Sequence, residues 1–344
     1  VSSSSQFLNP AAAAQRLGVS AKALRLYEQR GLVSPNRTAA GYRAYGPDEM
    51  ARAGEIVALR ALGLSLAQVA RVLAGDPNGL EPALAAHQAT LESRLRNLAD
   101  TVESVRQLRA DLAQGRSPAS GELARLLVPE TELAVVFDLP WPWGGERFEL
   151  RDIRALNYII GPLGSGKTRL AMALAEALPN AVFLGLERLE NRGAAAQSVL
   201  DADPALKARV EQTLAWLIED GATPSDALTA LLAGLESTAA IVVVDTVEQG
   251  LDHATQEAVI AHLRNRGSSS GPLFLMTRSS AILDLAAVSA NEAIILCPAN
   301  HSPPSRVAPY PGAPGYEAVA TCLATPEVRA RTEGVIAFRP PQIA

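Results

Sequence analysis

The segment Gly161-Pro162-Leu163-Gly164-Ser165-Gly166-Lys167-Thr168 constrains this chain more than any other. It fits G-x-x-x-x-G-K-[ST], follows the β-rich run Leu156–Ile160 and precedes a helix predicted over Arg169–Leu178. In a strand, glycine-rich loop and helix of this kind, backbone N–H groups close around a phosphate and the start of the helix dipole favours the negative charge. The glycines permit the close approach, Lys167 reaches the β- and γ-phosphates, and the Thr168 hydroxyl binds Mg²⁺. Candidate cofactor-binding residues are therefore Gly161, Gly164, Ser165, Gly166, Lys167, Thr168 and the first residue of the helix, Arg169. The alternative is a Gly-rich turn with no ligand.

Around this loop, strand-like and helix-like runs alternate. Strands are expected at Ala181–Leu186, Ile241–Val244, Leu273–Met276 and Ala293–Leu296, and helices at Ala208–Glu219, Asp226–Leu235 and His253–Arg264. Such alternation implies a parallel sheet with helices on both faces. The run Ile241-Val242-Val243-Val244-Asp245 is an apolar strand ending in a carboxylate, so Asp245 joins Thr168 as a candidate Mg²⁺ ligand. Pro298–Gly315 is rich in proline and reads as a loop, followed by a small helix and a last strand near Val335–Phe338.

The N-terminal part is organised differently. Pro10–Leu17 is alanine-rich and helical, Gly18-Val19-Ser20 is a tight turn whose serine can cap the next helix, and Ala21–Arg30 is that helix. The stretch Ser34–Tyr45 has turn residues between short extended pieces, as in a wing, and helices follow from Pro47 to about Leu62 and from Ser65 to about Leu73. Leu84, Leu91, Leu98, Val105 and Leu112 then recur every seven residues, with Leu95 and Val102 on the adjacent row. This register predicts a long coiled-coil helix; the alternative is an amphipathic helix packed on its own domain, because Gln88 and Arg109 interrupt the second row.

Charge separates the halves. Residues 1–75 hold nine Lys/Arg against four Asp/Glu, so within a net charge of −5 the remainder carries −10. A basic head on an acidic body implies that only the head meets a polyanion. No apolar run approaches a membrane span, and the serine-rich Val1–Gln6 has no secretory features and reads as a disordered tail. A soluble, cytoplasmic protein without a membrane partner is expected. Cys297 and Cys322 lie far from any residue spaced as a metal ligand and read as ordinary residues.

Gly18-Val19-Ser20, Leu24-Arg25-Leu26-Tyr27-Glu28, Gly31-Leu32-Val33, Gly41-Tyr42-Arg43 and Gly63-Leu64-Ser65-Leu66 together resemble the MerR family of transcriptional regulators. Ser20, Lys22, Arg25, Tyr27, Arg37, Tyr42, Arg43 and Tyr45 are the candidate DNA-binding residues, since arginine offers bidentate donors to phosphate and guanine and tyrosine a hydroxyl to phosphate. The resemblance implies a homodimer held by an antiparallel coiled coil. It also implies two heads on a palindromic double-stranded DNA operator, and RNA polymerase as a partner at the promoter.

In the body, Asp245-Thr246-Val247-Glu248-Gln249-Gly250-Leu251-Asp252-His253 and Phe274-Leu275-Met276-Thr277-Arg278-Ser279-Ser280 resemble the Walker B, D-loop and switch regions of ABC and RecF-like ATPases. Thr246 stands where those proteins have a catalytic carboxylate and Arg278 where they have a switch histidine. A threonine hydroxyl is no general base at neutral pH. Glu248 and Arg278 are the remaining catalytic candidates, Arg278 as a phosphate contact or as a surface ion pair. Gly221-Ala222-Thr223-Pro224-Ser225-Asp226 occupies the signature-loop position and reads as a helix start capped by Thr223.

The expected fold class is multidomain: an all-α winged helix-turn-helix head with a coiled-coil helix, followed by an α/β P-loop NTPase domain. The expected divisions are a head at 7–75, a dimerisation helix at 80–114, a linker at 115–130 and a nucleotide-binding body at 131–344 with its Pro-rich extension. The expected function is transcription regulation in which ATP with Mg²⁺ acts as the sensed ligand, with weak or no hydrolysis. Two alternatives stand beside it: an active DNA-targeted ATPase, and a regulator with a vestigial P-loop body that serves as a platform or senses another ligand.

Overall fold

The computed structural model describes residues 7–38, 40–114, 116, 134–266 and 271–324. The expected tail at 1–6, nearly all of the linker at 115–130 and the last strand near Val335–Phe338 lie outside the described residues.

In the head, α1 (Pro10–Leu17) starts on Asn9, whose side chain accepts the Ala12 N–H, and stops at Gly18, where φ is +68°. Ser20 then caps α2 (Ala21–Gln29) by accepting the Ala23 N–H at 3.0 Å. Two-residue strands β1 (Asn36–Arg37) and β2 (Arg43–Ala44) pair antiparallel as the wing. Helix α3 (Pro47–Ala61) and helix α4 (Leu66–Leu73) complete a core around Leu24, Tyr45, Ile56, Leu64 and Val69. At the start of α4, Ser65 accepts the Gln68 N–H while the Gln68 side chain accepts the Ser65 N–H, a reciprocal capping box.

Helix α5 (Leu80–Ala113) runs for 34 residues, about 51 Å at 1.5 Å per residue. Leu84, Leu91, Leu95, Leu98, Val102, Val105 and Leu112 are all exposed. Among the described residues, the heptad face is thus turned to the surface.

The body holds a six-stranded sheet in the order β10-β9-β5-β8-β7-β6. Its strands are β5 (Leu156–Ile160), β6 (Ala181–Leu184), β7 (Ile241–Val244), β8 (Leu273–Met276), β9 (Glu292–Leu296) and β10 (Ser305–Val307). All neighbouring pairs are parallel except β9 with β10. The central strands β5, β7, β8 and β9 are buried at every residue, as a sheet covered on both faces requires. One face carries α6 (Lys167–Ala177), whose Leu170, Ala171 and Leu174 pack with a hairpin of β3 (Val135–Asp138) and β4 (Arg147–Leu150). The other carries α7 (Ala194–Ala202), α8 (Pro204–Glu219), α9 (Asp226–Leu235), α10 (His253–Arg264) and α11 (Tyr316–Leu323).

Several expectations are corrected in detail. The strand expected over 181–186 ends at Leu184, because the Glu187 carboxylate accepts the Gly185 N–H and starts a 3₁₀ run, Leu186–Gly193, that is kinked at Glu190–Arg192. The helix after the glycine loop begins at Lys167 rather than Arg169, since Gly166 at φ +88° feeds the chain straight into it. Within the expected Pro298–Gly315 loop, Ser305–Val307 forms edge strand β10 and Val307 buries its side chain; the neighbouring prolines, without N–H groups, keep the strand short. The cap of α9 is Ser225, not Thr223, whose N–H is committed to Thr255 Oγ1 at 2.9 Å.

The head rests on the body where the start of α4 meets the end of α8. Arg60 donates to both carboxylate oxygens of Asp220, at 2.7 and 3.1 Å, and the same carboxylate accepts the Leu66 N–H at 2.7 Å. The Arg60 guanidinium lies 5.5 Å from the ring centroid of Trp216, whose indole N–H donates to the Gly63 carbonyl. Ser65 donates to Glu219, and Lys22 of α2 pairs with Glu257 of α10 at 3.0 Å.

Candidate functional site

The glycine loop lies at the carboxyl end of β5, the position at which open parallel sheets hold their ligands. A Cβ on Gly161 would stand 2.4 Å from the Cys297 carbonyl oxygen and 2.6 Å from Ser165 Oγ, so no larger residue fits. Gly164 and Gly166 take φ of +79° and +88°. The ring of Trp143 closes on Gly166 from the hairpin loop, and its indole N–H donates to the Ser302 carbonyl. His301 donates through Nε2 to the Gly164 carbonyl at 3.1 Å. Trp141 and Leu163 stand out from this rim, 78% and 87% exposed.

Inside the loop, Lys167 Nζ donates to the Pro162 carbonyl at 2.7 Å. Burial lowers its pKa, and the charge of Arg278 lowers it further. Ser165 Oγ is buried with no hydrogen-bond partner, and no side chain caps the start of α6. Thr168 Oγ1 lies 3.4 Å from Asp245 Oδ2, and Asp245 is buried. An orphaned hydroxyl, an uncapped helix start and an ammonium on the same loop suit a phosphate; a hydroxyl beside a carboxylate is a hard-oxygen donor pair of the kind that Mg²⁺ takes. Arg169 is exposed on the first turn of the helix.

Beyond Asp245 the chain turns sharply. Thr246 adopts φ +43°, an outlier for a β-branched residue, and donates through Oγ1 to Asp245 Oδ1 at 2.8 Å. The turn is held by Arg188, which is buried and donates to the carbonyls of Asp245 and Thr246 at 2.8 and 2.9 Å. Desolvation lowers the Arg188 pKa. Glu248 accepts the Arg278 N–H at 2.8 Å through Oε1, whereas its Oε2 is buried without a partner. The two catalytic candidates are thus brought together, at the carboxyl ends of β7 and β8. The Arg278 side chain is exposed and, among the described residues, makes no salt bridge, which disfavours the surface ion pair. Arg188, Trp143 and His301 escaped sequence reasoning; the Pro140–Gly145 cluster of tryptophans, prolines and glycines was the available signal for Trp143.

In the head, the DNA-binding candidates divide. Tyr42 is 74% exposed on the wing and Arg37 beside it is exposed, donating to the Gly41 carbonyl. Arg43 is held by Glu28 at 2.6 Å. Ser20 is buried as the α2 cap, and Lys22 and Arg25 line a groove against the body. Tyr27 and Tyr45 are corrected to core residues: both rings are buried among Leu24, Ile56 and their neighbours, and burial raises both hydroxyl pKa values.

Both cysteines are buried, and burial pushes Cys297 up to about 12. No group of metal-binding side chains with three or more His, Cys, Asp or Glu occurs among the described residues, and no helix among them is long and apolar enough to cross a membrane.

Comparison with known proteins follows the same division. Residues 8–76 match the model of the MerR HTH family of regulatory proteins. The "Probable heavy metal-dependent transcriptional regulator" of Haemophilus influenzae is 34% identical over 105 residues, 28% of this chain and 82% of that protein. The HTH-type transcriptional regulator HmrR of Sinorhizobium medicae is 32% identical over 108 residues, 29% of this chain and 74% of that protein. Among solved structures, an ATP-binding cassette of an ABC transporter in its ADP conformation aligns with 60% of this chain and 100% of its own, at 13% identity and a TM-score of 0.37. A MerR family regulator lacking the sensor domain and bound to promoter DNA aligns with 36% of this chain and 98% of its own, at 21% identity and a TM-score of 0.24. With the helix-turn-helix head in place and relatives matched over most of their length, the chain belongs to the MerR family of DNA-binding transcriptional regulators.

Proposed function

We propose that this regulator senses a nucleotide, ATP or a close relative, at the glycine loop of its body. The observation that carries the reading is the meeting of Thr168 and Asp245 beneath an uncapped helix start that also holds Lys167 and the partnerless Ser165 hydroxyl. Gly161, Gly164 and Gly166 admit the phosphates, Ser165 and Lys167 hold them, and Arg169 lies on the first turn of the same helix. Thr168 and Asp245 would hold Mg²⁺, which neutralises phosphate charge when bound. Hydrolysis is weak or absent, because Thr246 offers no carboxylate to orient water.

The exposed heptad face of α5 supports a homodimer, and two heads in a dimer suit a palindromic operator, with RNA polymerase as the partner at the promoter. Within the head, Arg37, Tyr42 and Arg43 on the wing and Ser20, Lys22 and Arg25 on α2 are the residues assigned to DNA. Such a protein works where the DNA is, in the cytoplasm.

The partnerless Oε2 of Glu248 favours a second reading, slow ATP hydrolysis with Glu248 orienting water and Arg278 contacting the phosphate. Calorimetric titration with ATP, ADP and GTP in Mg²⁺, beside Lys167→Ala and a phosphate-release assay, separates the two. Micromolar binding lost in the variant, without phosphate release, supports the sensor. Release that depends on Glu248 supports the enzyme, and no heat with any nucleotide refutes both.

A further inference from the structure

The end of α2 that begins at Ser20 points at the body. Ser20, Lys22 and Arg25 form one wall of a groove of about 620 Å³, and His253, Ser280 and Asp284 form part of the other. Lys22 is paired with Glu257 at 3.0 Å, and His253 reaches the same carboxylate at 3.3 Å. In a helix-turn-helix protein the second helix enters the major groove with its N-terminal residues on the base edges, and lysines near it pair with phosphates. A groove of this volume has no space for a duplex. Glu257 presents to Lys22 a carboxylate in place of a DNA phosphate.

We propose that the body sequesters the DNA-reading end of α2, with Glu257 occupying Lys22 as an internal competitor for DNA phosphate, so that the arrangement described here is the closed form of the regulator. Docking is secured away from the reading face by the buried Arg60–Asp220 pair, which leaves the α2 contact, with Lys22 and Glu257 only partly buried, as the separable one. DNA and body therefore compete for this end of α2, and the body lowers DNA affinity by the energy of that contact.

The competing surface also touches the glycine-loop side. Glu248 holds the Arg278 N–H, the next residue Ser279 donates to Gln256 at 2.6 Å, and Gln256 is the neighbour of Glu257 on α10. Ser280, on the same turn, lines the groove under Arg25. Resting on the nucleotide reading above, a triphosphate that draws Arg278 shifts this turn and favours release of α2.

The test is fluorescence anisotropy of the full chain with a labelled duplex of arbitrary sequence, about 30 base pairs long, at low salt, where phosphate contacts dominate binding. Glu257→Gln and Glu257→Lys both lie on the body and leave every DNA-binding candidate intact. Both are expected to tighten duplex binding, Glu257→Lys by about tenfold, equivalent to about 1.4 kcal/mol of lost competition. Unchanged or weaker binding in both overturns the proposal. Hydrogen exchange on the unaltered chain gives a second arm that needs no variant. Duplex binding should speed exchange in α10 around Glu257, and binding that leaves α10 unchanged overturns the proposal as well. Adding ATP, with its binding followed by calorimetry, separates the two readings. Bound ATP without effect on duplex affinity, beside a tightened Glu257→Gln, leaves sequestration standing and removes the coupling; absence of ATP binding removes the nucleotide reading alone.

Discussion

Asp220→Ala is the most informative single change to the way this molecule is put together. The Asp220 side chain is 2% exposed and the Arg60 side chain 14%, and the two meet through paired hydrogen bonds. Removing one partner of a buried pair costs about 3–5 kcal/mol, because the other charge is left without compensation. Here the head has an escape: it can separate from the body and return Arg60 to water, so the loss is capped by the docking energy itself. The Leu66 N–H reports this directly. It is the first amide of α4, has no acceptor within its own helix, and is bonded to Asp220 Oδ1. A loss of about 3 kcal/mol corresponds to about a hundredfold faster exchange at that amide, while amides in the core of α3 keep their rates. Arg60→Ala with Asp220→Ala should cost less than the two single changes added, as coupled partners do. Leu66 exchange within threefold of the unaltered chain, about 0.6 kcal/mol, would show that the pair does not hold the head and would refute the reasoning.

Other expectations follow from single sites. Gly161→Ala forces a methyl against the Cys297 carbonyl at 2.4 Å and should cost about 3 kcal/mol, lowering Tm by about 6–12 °C in calorimetry. His262, its ring 5.1 Å from that of Trp216 and tilted to it by 56°, has its pKa pushed down by burial to about 4 from 6.5. The unfolded chain therefore takes up this proton first as pH falls: the stability is complete above 6.5 and declines towards 4 by about 3 kcal/mol, and His262→Phe should flatten that part of the denaturation-versus-pH curve. Leu91→Lys with Leu98→Lys places charges on the exposed heptad face, and sedimentation should show the unaltered chain as the proposed dimer and the double variant as monomer. Thr246→Glu restores a carboxylate next to Asp245, and phosphate release should rise by about a hundredfold if only the base is missing.

Much of this organisation was legible because it is local. A capped turn at Ser20, a seven-residue recurrence along 84–112, and the strand, loop and helix around Lys167 each declare themselves within a few residues, and the structure has them where the pattern places them. What escaped is held across long distances. Nothing near Asp220 marks it as the partner of Arg60, 160 positions away, and nothing around Arg188 announces that it ties the turn after β7. The buried pair Tyr27 and Tyr45 shows the same limit: Tyr27 and Tyr42 look alike in sequence, and only packing decides that the first fills a core and the second faces outward.

The close fit of Gly161 against the Cys297 carbonyl has a mechanical consequence. With β9 pressed on one flank of the glycine loop and Trp143 and His301 on its rim, that flank is a fixed wall. The opposite flank is formed by the turn at Thr246, which Arg188 ties through the carbonyls of Asp245 and Thr246, and by the Arg278 segment, which meets it through the Arg278 N–H on Glu248. A displacement in the loop that the wall cannot follow would be taken up on the Arg278 side, where the side chain is exposed.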